Sequence, residues 1–279
     1  MIVRCWGARG SIPVSGREYL KYGGDTTCIE IRTKNGEVII IDAGSGIREF
    51  GKRMLNEKRT RFSLLFTHAH WDHIMGFPFF RPIYREGTMI DFYGCAFSEG
   101  TLQDIVSTTM VSPHFPVNFK EVKAEFSYNS LCEKSIQIDT VAVSSIMLSH
   151  PNQGLGYKFV EDGKSFVFIT DNELTYKHPG GLDFKDYVEF SRGADVLFHD
   201  SEYVEEEYGE KITWGHSVYK DSLRLAIEAQ VKQFGLFHHN QNRTDDAEDE
   251  IVLDCQRIIK ENNSPLNCFA VYQGQEIIL

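Results

Sequence analysis

Positions 66–73 of this chain read Phe-Thr-His-Ala-His-Trp-Asp-His and follow directly on the apolar Leu64 and Leu65. The chain therefore leaves a buried strand and at once presents His68, His70, Asp72 and His73 within six positions. A loop at a strand end can curl these groups around one point. Neutral imidazole nitrogen together with carboxylate oxygen suits one or two borderline metals such as zinc. The fold must then bring further ligands to the same edge.

Three other segments offer them. His150 follows the apolar strand Val143–Leu148, Asp171 ends Phe-Val-Phe-Ile-Thr-Asp, and His238 and His239 end Phe-Gly-Leu-Phe-His-His. Each alone reads as an ordinary loop residue. Together they are four strand ends, each finishing in a side chain able to bind metal, and they would converge along one edge of a sheet sandwich. His199 lies inside an apolar strand and reads as a structural residue.

Periodicity and turn chemistry place strands at about 2–6, 26–33 and 37–42, with Lys-Asn-Gly-Glu turning the last two into a hairpin. A helix over 46–57 and a short buried strand over 62–66 follow. The stretch 74–135 is less regular, with a strand at 89–94 and a helix at 101–110. Strands then fall at 136–148, 155–161 and 165–170, the last two joined by Glu-Asp-Gly-Lys. A helix at 183–192, a strand at 195–199, a helix at 217–230, a strand at 233–237 and a helix at 245–262 lead to a closing hairpin at 267–279. Strands early and helices late in each half predict an α/β fold. Its form is a four-layer αβ/βα sandwich, two mixed sheets with outer helices, as one domain over 1–279.

The formal charge of −11 opposes long nucleic acid as a partner but permits a small anionic substrate met by metal ions. Cys5, Cys28, Cys95, Cys132, Cys255 and Cys268 include no CxxC pair and mostly sit in apolar surroundings, which predicts buried reduced thiols in a cytoplasmic protein. The opening Met-Ile-Val-Arg-Cys-Trp-Gly does not read as a secretory signal, and no apolar run approaches a bilayer span of about 20 residues.

These residues, with Ile-Ile-Ile-Asp-Ala-Gly around Asp42, resemble the metallo-β-lactamase fold superfamily over nearly the whole chain. The resemblance implies that His68, His70 and His150 bind one metal and that Asp72, His73 and His239 bind a second. Asp171 would bridge the two, and Asp42 would support the metal loop from behind. His238 competes with His239 for the last position; the spacing Phe66-Thr67-His68, repeated after Phe237, selects His239. The implied cofactors are two divalent ions, Zn2+ before Mn2+ or Fe2+.

Trp-Gly-Ala-Arg-Gly-Ser-Ile-Pro and Tyr-Gly-Gly-Asp-Thr-Thr near the start look like the phosphodiesterase branch, which includes RNase Z and cyclic phosphodiesterases. Ala-Asp-Val-Leu-Phe-His-Asp-Ser-Glu-Tyr at 194–203 and Trp-Gly-His-Ser at 214–217 are similar to RNase Z segments. Carried across, His216 oriented by Asp200 would act on the phosphate or leaving oxygen; RNase Z has Glu where this chain has Asp200. Ser217 also reads as a cap for the following helix. The implied activity is hydrolysis of a small or cyclic nucleotide-like phosphodiester by hydroxide held between two metals, with Asp72, His216 and Asp200 as catalytic residues. RNase Z commonly inserts an RNA-gripping arm between the positions of His150 and Asp171. Here one tight hairpin fills that interval, which lowers the transfer-RNA 3′-processing alternative. A metal-holding protein without turnover is a third reading. Residues 111–119 could wall the pocket with aromatic rings; His114 has no assigned role. Dimeric relatives suggest a homodimer, and no membrane partner is expected.

Overall fold

The computed structural model describes residues 1–95, 100–132 and 135–279. The first half runs β1 (Ile2–Gly7), β2 (Cys28–Arg32), β3 (Val38–Ile41), α1 (Ile47–Asn56), β4 (Arg61–Leu65), α2 (Trp71–Ile74), β5 (Met89–Gly94), α3 (Leu102–Thr108) and β6 (Glu125–Ser130). The second runs β7 (Ser135–Ile138), β8 (Val141–Met147), β9 (Leu155–Glu161), β10 (Lys164–Ile169), α4 (Phe184–Ser191), β11 (Val196–Asp200), α5 (Glu205–Tyr208), α6 (Tyr219–Glu228), β12 (Gln233–Phe237), α7 (Asp245–Glu261), β13 (Asn267–Ala270) and β14 (Glu276–Ile278).

Two seven-stranded sheets result, ordered β14-β1-β2-β3-β4-β5-β6 and β13-β12-β11-β10-β9-β8-β7. Each is mixed in the same way. In the first sheet the pairs from β14 to β3 are antiparallel and those from β3 to β6 parallel. In the second, β13 to β10 pair in parallel and β10 to β7 antiparallel. The parallel strands β10, β11 and β12, together with β8, thus point their C-terminal ends to one edge.

Strand alternation builds the layers. Between the sheets lie Ile29, Ile31, Ile39 and Ile41 from one side and Tyr157, Phe159, Phe166, Phe168, Phe198 and Phe237 from the other. The opposite faces of the same strands meet helices. Ile40 and Leu64 pack with Ile47, Phe50 and Met54 of α1, and Val167 and Leu197 pack with Leu223 and Ile251 of α6 and α7. Helix α1 buries Ile47, Phe50, Gly51 and Met54, a helical stripe, and the Phe50 ring stacks on Phe80 at 5.8 Å. Helix α7 begins at Thr244, whose hydroxyl accepts from Ala247 N at 3.3 Å, and carries acidic residues in its first turn and Lys260 in its last.

The sandwich matches the expected architecture, and three local expectations need correction. The predicted strand 136–148 is two strands, because Asp139 takes a left-handed φ of 50° and turns the chain. The stretch 74–135 holds a second strand, β6, beyond the one expected at 89–94. The closing segment 267–279 is no hairpin: β13 pairs with β12 in one sheet and β14 with β1 in the other, so the chain crosses between sheets. The cysteine reading also changes. Cys95 and Cys132 form a disulfide, while Cys5, Cys28, Cys255 and Cys268 are free and buried. Adjacent strands β5 and β6, paired through Gly94 and Ser130, bring the bonded pair together just past their ends. No helix among the described residues is long and apolar enough to cross a membrane.

Candidate metal centre

The loops after β3, β4, β8, β10, β11 and β12 meet at the common edge. Three of the turns use left-handed backbone at a residue other than glycine: Asp42 (φ 60°), Asp171 (φ 51°) and His238 (φ 58°). Such conformations are sparsely populated and concentrate at sites where side chains must be aimed. Asp171 and His238 thereby face the centre, while Asp42 faces the loop after β4 from behind.

From that placement Asp42 organises the β4 loop. Its carboxylate accepts from the Thr67 amide (2.8 Å), the Thr67 hydroxyl (2.7 Å) and His73 Nδ1 (2.8 Å). The Thr67 oxygen in turn lies 3.0 Å from His68 Nδ1. His150 Nδ1 donates to the Gly215 carbonyl at 2.9 Å, and His238 Nδ1 donates to Glu202 Oε2 at 2.9 Å. In each of these four imidazoles the rear nitrogen is held by the protein and Nε2 faces the centre, the arrangement that fixes tautomer and aim in metal-binding histidines.

Two donor groups that share Asp171 form there, and a third, of Asp200, His216 and His238, adjoins them. Ligand atoms of His68, His70, His150 and Asp171 lie within 4.8 Å of one another, as do those of Asp72, His73, Asp171 and His238. Asp171 is common to both. Its Oδ2 lies 3.5 Å from His68 Nε2 and 3.9 Å from His150 Nε2, whereas its Oδ1 lies 3.3 Å from His73 Nε2 and 3.4 Å from His238 Nε2. His70 Nδ1 and His150 Nε2 face each other at 3.0 Å. Asp72 Oδ2 sits 3.3 Å from His73 Nε2 and 3.2 Å from His238 Nε2, and accepts from the Ser11 amide at 2.9 Å.

Two features of this structure fit bound cations. His68 Nε2 is buried and makes no hydrogen bond, a costly state unless another partner belongs there, and His73 Nε2 has only the Asp72 and Asp171 carboxylates at 3.3 Å before it. The donors are imidazole and carboxylate alone, the set that suits zinc and similar ions. The two groups differ electrostatically. Burial and neighbouring imidazoles hold His68 well below its ordinary value, and burial takes His150 down to about 3 despite Asp171. His73 and His238 are also buried, yet the facing carboxylates hold both well above it.

The last ligand position is corrected. His239, selected by spacing, points away: its Nε2 lies 2.7 Å from the Val271 carbonyl and its Nδ1 3.0 Å from Glu248. His238 occupies the centre instead. Strand β12 ends at Phe237, and the left-handed turn at the very next residue swings His238 inward. Strand β4 ends at Leu65, so the analogy with His68 misjudged where the turn begins.

His216 and Asp200 lie beside the second group. His216 Nδ1 is 2.9 Å from Asp200 Oδ2 and 3.5 Å from Glu202 Oε2, and its ring stacks on His238 at 4.7 Å. Burial pushes the imidazole down, but Glu202 and Asp200 bring it up to about 9. His199 makes only buried contacts, with Asp200 O at 2.7 Å and the Asn172 side chain at 3.2 Å. Ser217 does not cap α6; its hydroxyl donates to Asn172 O at 2.5 Å. In 111–119, Phe115 packs on Phe79 and Phe119 on Phe126, and His114 is exposed. The sequence reading missed Glu202, Glu173 and the supporting part of Thr67. Glu202 could have been found as a second carboxylate just past a strand end, two residues beyond Asp200.

The family described as the beta-lactamase superfamily domain matches residues 37–239. Ribonuclease Z of Nanoarchaeum equitans (strain Kin4-M) is 23% identical, over 73% of this chain and 74% of its own length. Ribonuclease Z of Bacillus mycoides (strain KBAB4) is 22% identical, over 90% and 92%. Among solved structures, the metallo-beta-lactamase fold protein YhfI from Bacillus subtilis superposes with a TM-score of 0.73 at 14% identity, covering 99% of this chain and 98% of that one. A diphosphatase of the PhnP family gives 0.69 at 17%, covering 100% and 97%, and the short form of human tRNase Z gives 0.68 at 17%, covering 100% and 99%. At these identities the structures speak to the fold alone.

Proposed function

The chain belongs to the beta-lactamase superfamily domain family, and on that footing we propose that it is a dinuclear metal-dependent phosphodiesterase acting on a small or cyclic nucleotide-like diester. His68, His70 and His150 would hold one divalent cation and Asp72, His73 and His238 the other, with Asp171 shared; zinc suits the donors best. When bound, such cations acidify a water toward neutral pH and draw charge from phosphoryl oxygens. The observation that carries the reading is Asp171, whose two oxygens each face a separate imidazole group.

The chain's own groups do the rest. The Thr170 hydroxyl donates to Asp171 Oδ1 at 2.6 Å and the Ser11 amide holds Asp72, so neither carboxylate is free to swing. Despite burial, Glu202 and Asp200 hold His216 above the ordinary imidazole value, which favours its protonated form. With Nδ1–H held by Asp200, its Nε2–H is the group able to protonate a departing oxygen. The test is hydrolysis of bis(p-nitrophenyl) phosphate and of 2′,3′- and 3′,5′-cyclic nucleotides with zinc or manganese added. Turnover of at least one diester is expected; none in any arm overturns the proposal.

A second reading, maturation of transfer-RNA 3′ ends, draws support from the relatives named Ribonuclease Z. Against it, β9 turns into β10 across Asp162–Gly163 alone, leaving no arm between His150 and Asp171, and the net charge of −11 opposes a long phosphate track. Cleavage of a precursor transcript at low salt, faster than any cyclic nucleotide, would favour this second reading.

A further inference from the structure

We propose that Glu173 is a positioning residue that clamps the 211–216 loop against the metal centre, so that one buried carboxylate sets both His150 and His216. Glu173 follows Asp171 by two residues and is 1% exposed. Its two oxygens accept four bonds. Oε1 takes the Tyr208 hydroxyl (2.7 Å) and the Thr213 amide (2.8 Å), and Oε2 takes the Gly215 amide (2.9 Å) and His178 Nε2 (2.7 Å). Four donors saturate a carboxylate, and three of them come from 208–215.

The Gly215 peptide carries the effect to the centre. Its N–H donates to Glu173 while its C=O accepts from His150 Nδ1, so the two sides of one residue join the carboxylate to the imidazole. Only glycine fits there: φ is +94°, and a Cβ would stand 2.1 Å from His150 Nδ1. Thr213, another Glu173 partner, holds a left-handed φ of 79°, which needs outside support to persist. His216 is the next residue after Gly215. Beyond it, Ser217 donates to Asn172 O and accepts from Leu174 N at 3.1 Å, so residues 172–174 grip the loop on both sides of His216. Trp214, 57% exposed, remains outside the clamp.

The part concerning His216 rests on the phosphodiesterase reading; the part concerning His150 does not. The experiment titrates apoprotein with Co2+ or Zn2+ and measures kcat for two diesters, one with a p-nitrophenolate and one with an alkoxide leaving group. Wild type, Glu173→Gln and Tyr208→Phe are compared, with thermal melts on each. In Glu173→Gln an amide N–H faces donors, and the Gly215 carbonyl shifts. One of the two metal sites should weaken by about 10–100-fold, the size seen when a group behind a metal ligand is lost. The rate on the alkoxide substrate should fall more than that on p-nitrophenolate. Tyr208→Phe removes a bond to the same carboxylate without touching Gly215, and should lower melting temperature without altering leaving-group dependence. If Glu173→Gln does not fold, Glu173→Asp is read by the same criteria.

Unchanged metal affinities and unchanged leaving-group dependence in the Glu173 variant overturn the proposal. So does a Tyr208→Phe variant that reproduces both effects. Wild type inactive on either diester would sink the phosphodiesterase reading alone, because the metal titration still judges Glu173.

Discussion

At the hairpin end of the sandwich, the buried Glu161 carboxylate meets the Lys34 amide at 3.0 Å, the Thr140 hydroxyl and the amino group of residue 1 at 3.0 Å. Nearby, Asp139 accepts from Thr33 at 2.6 Å and Asn35 at 2.9 Å. At the opposite end, His68 and His73 bury Nε2 atoms that no hydrogen bond reaches, although their rear nitrogens are held. Both ends collect polar groups on strand ends from both sheets. At one end carboxylates face hydroxyls, amides and an amino group of the chain; at the other, imidazoles and carboxylates from both sheets crowd around one point. Unpartnered buried atoms occur at both ends, Glu161 Oε2 at one and His68 Nε2 and His73 Nε2 at the other, so it is the convergence of imidazoles and carboxylates that marks the candidate functional end.

The largest effect should come from the residue shared by both groups. Asp171→Ala is expected to lose stable binding at both metal positions and all measurable turnover, read by elemental analysis and diester hydrolysis. Two equivalents retained would break the contrast. Next come the adjacent imidazoles. His238→Ala should lose one equivalent and activity, whereas His239→Ala should keep both metals and cost about 1–3 kcal/mol of stability, because Glu248 and Val271 O lose their partner. Reversed outcomes would put the ligand back at 239. His216→Ala should retain both metals and lose about 10²–10⁴ in rate, the range for removing a general acid.

How far these distinctions were legible depends on what fixes them. The β4 loop announces itself because its candidate ligands lie within six positions, and the strands read correctly where a tight turn separates apolar segments, as in β9 and β10 around Glu-Asp-Gly-Lys. The choice between His238 and His239 rests on a single left-handed turn, which spacing does not encode. Strand β6 alternates Phe126 and Tyr128 with polar residues but lies half exposed at a sheet edge, so its pattern is weak. The pairing of Cys95 with Cys132 spans 37 residues and follows from strands becoming neighbours, a tertiary fact. The same holds for Glu173, whose partners at 178, 208, 213 and 215 meet only in the folded loop.

The smallest effect belongs to the hairpin end. Burial raises the Glu161 carboxyl, but the Thr140 hydroxyl, the Lys34 amide and the amino group lower it further, leaving it below the ordinary glutamate value. Its contribution is therefore present above the unfolded value of about 4.3 and is lost as pH falls through the folded one. Glu161→Gln should cost about 1 kcal/mol near neutrality, with no change in metal content, and its urea midpoint should converge with wild type in acid. Parallel midpoints down to low pH would show that Glu161 does not stabilise that end.

The most direct measurement is anomalous diffraction at a metal edge from crystals of reconstituted protein. Two peaks are predicted on either side of Asp171, one among His68, His70 and His150 and one among Asp72, His73 and His238. A single peak, or a metal held by His239 with His238 turned away, would contradict the account.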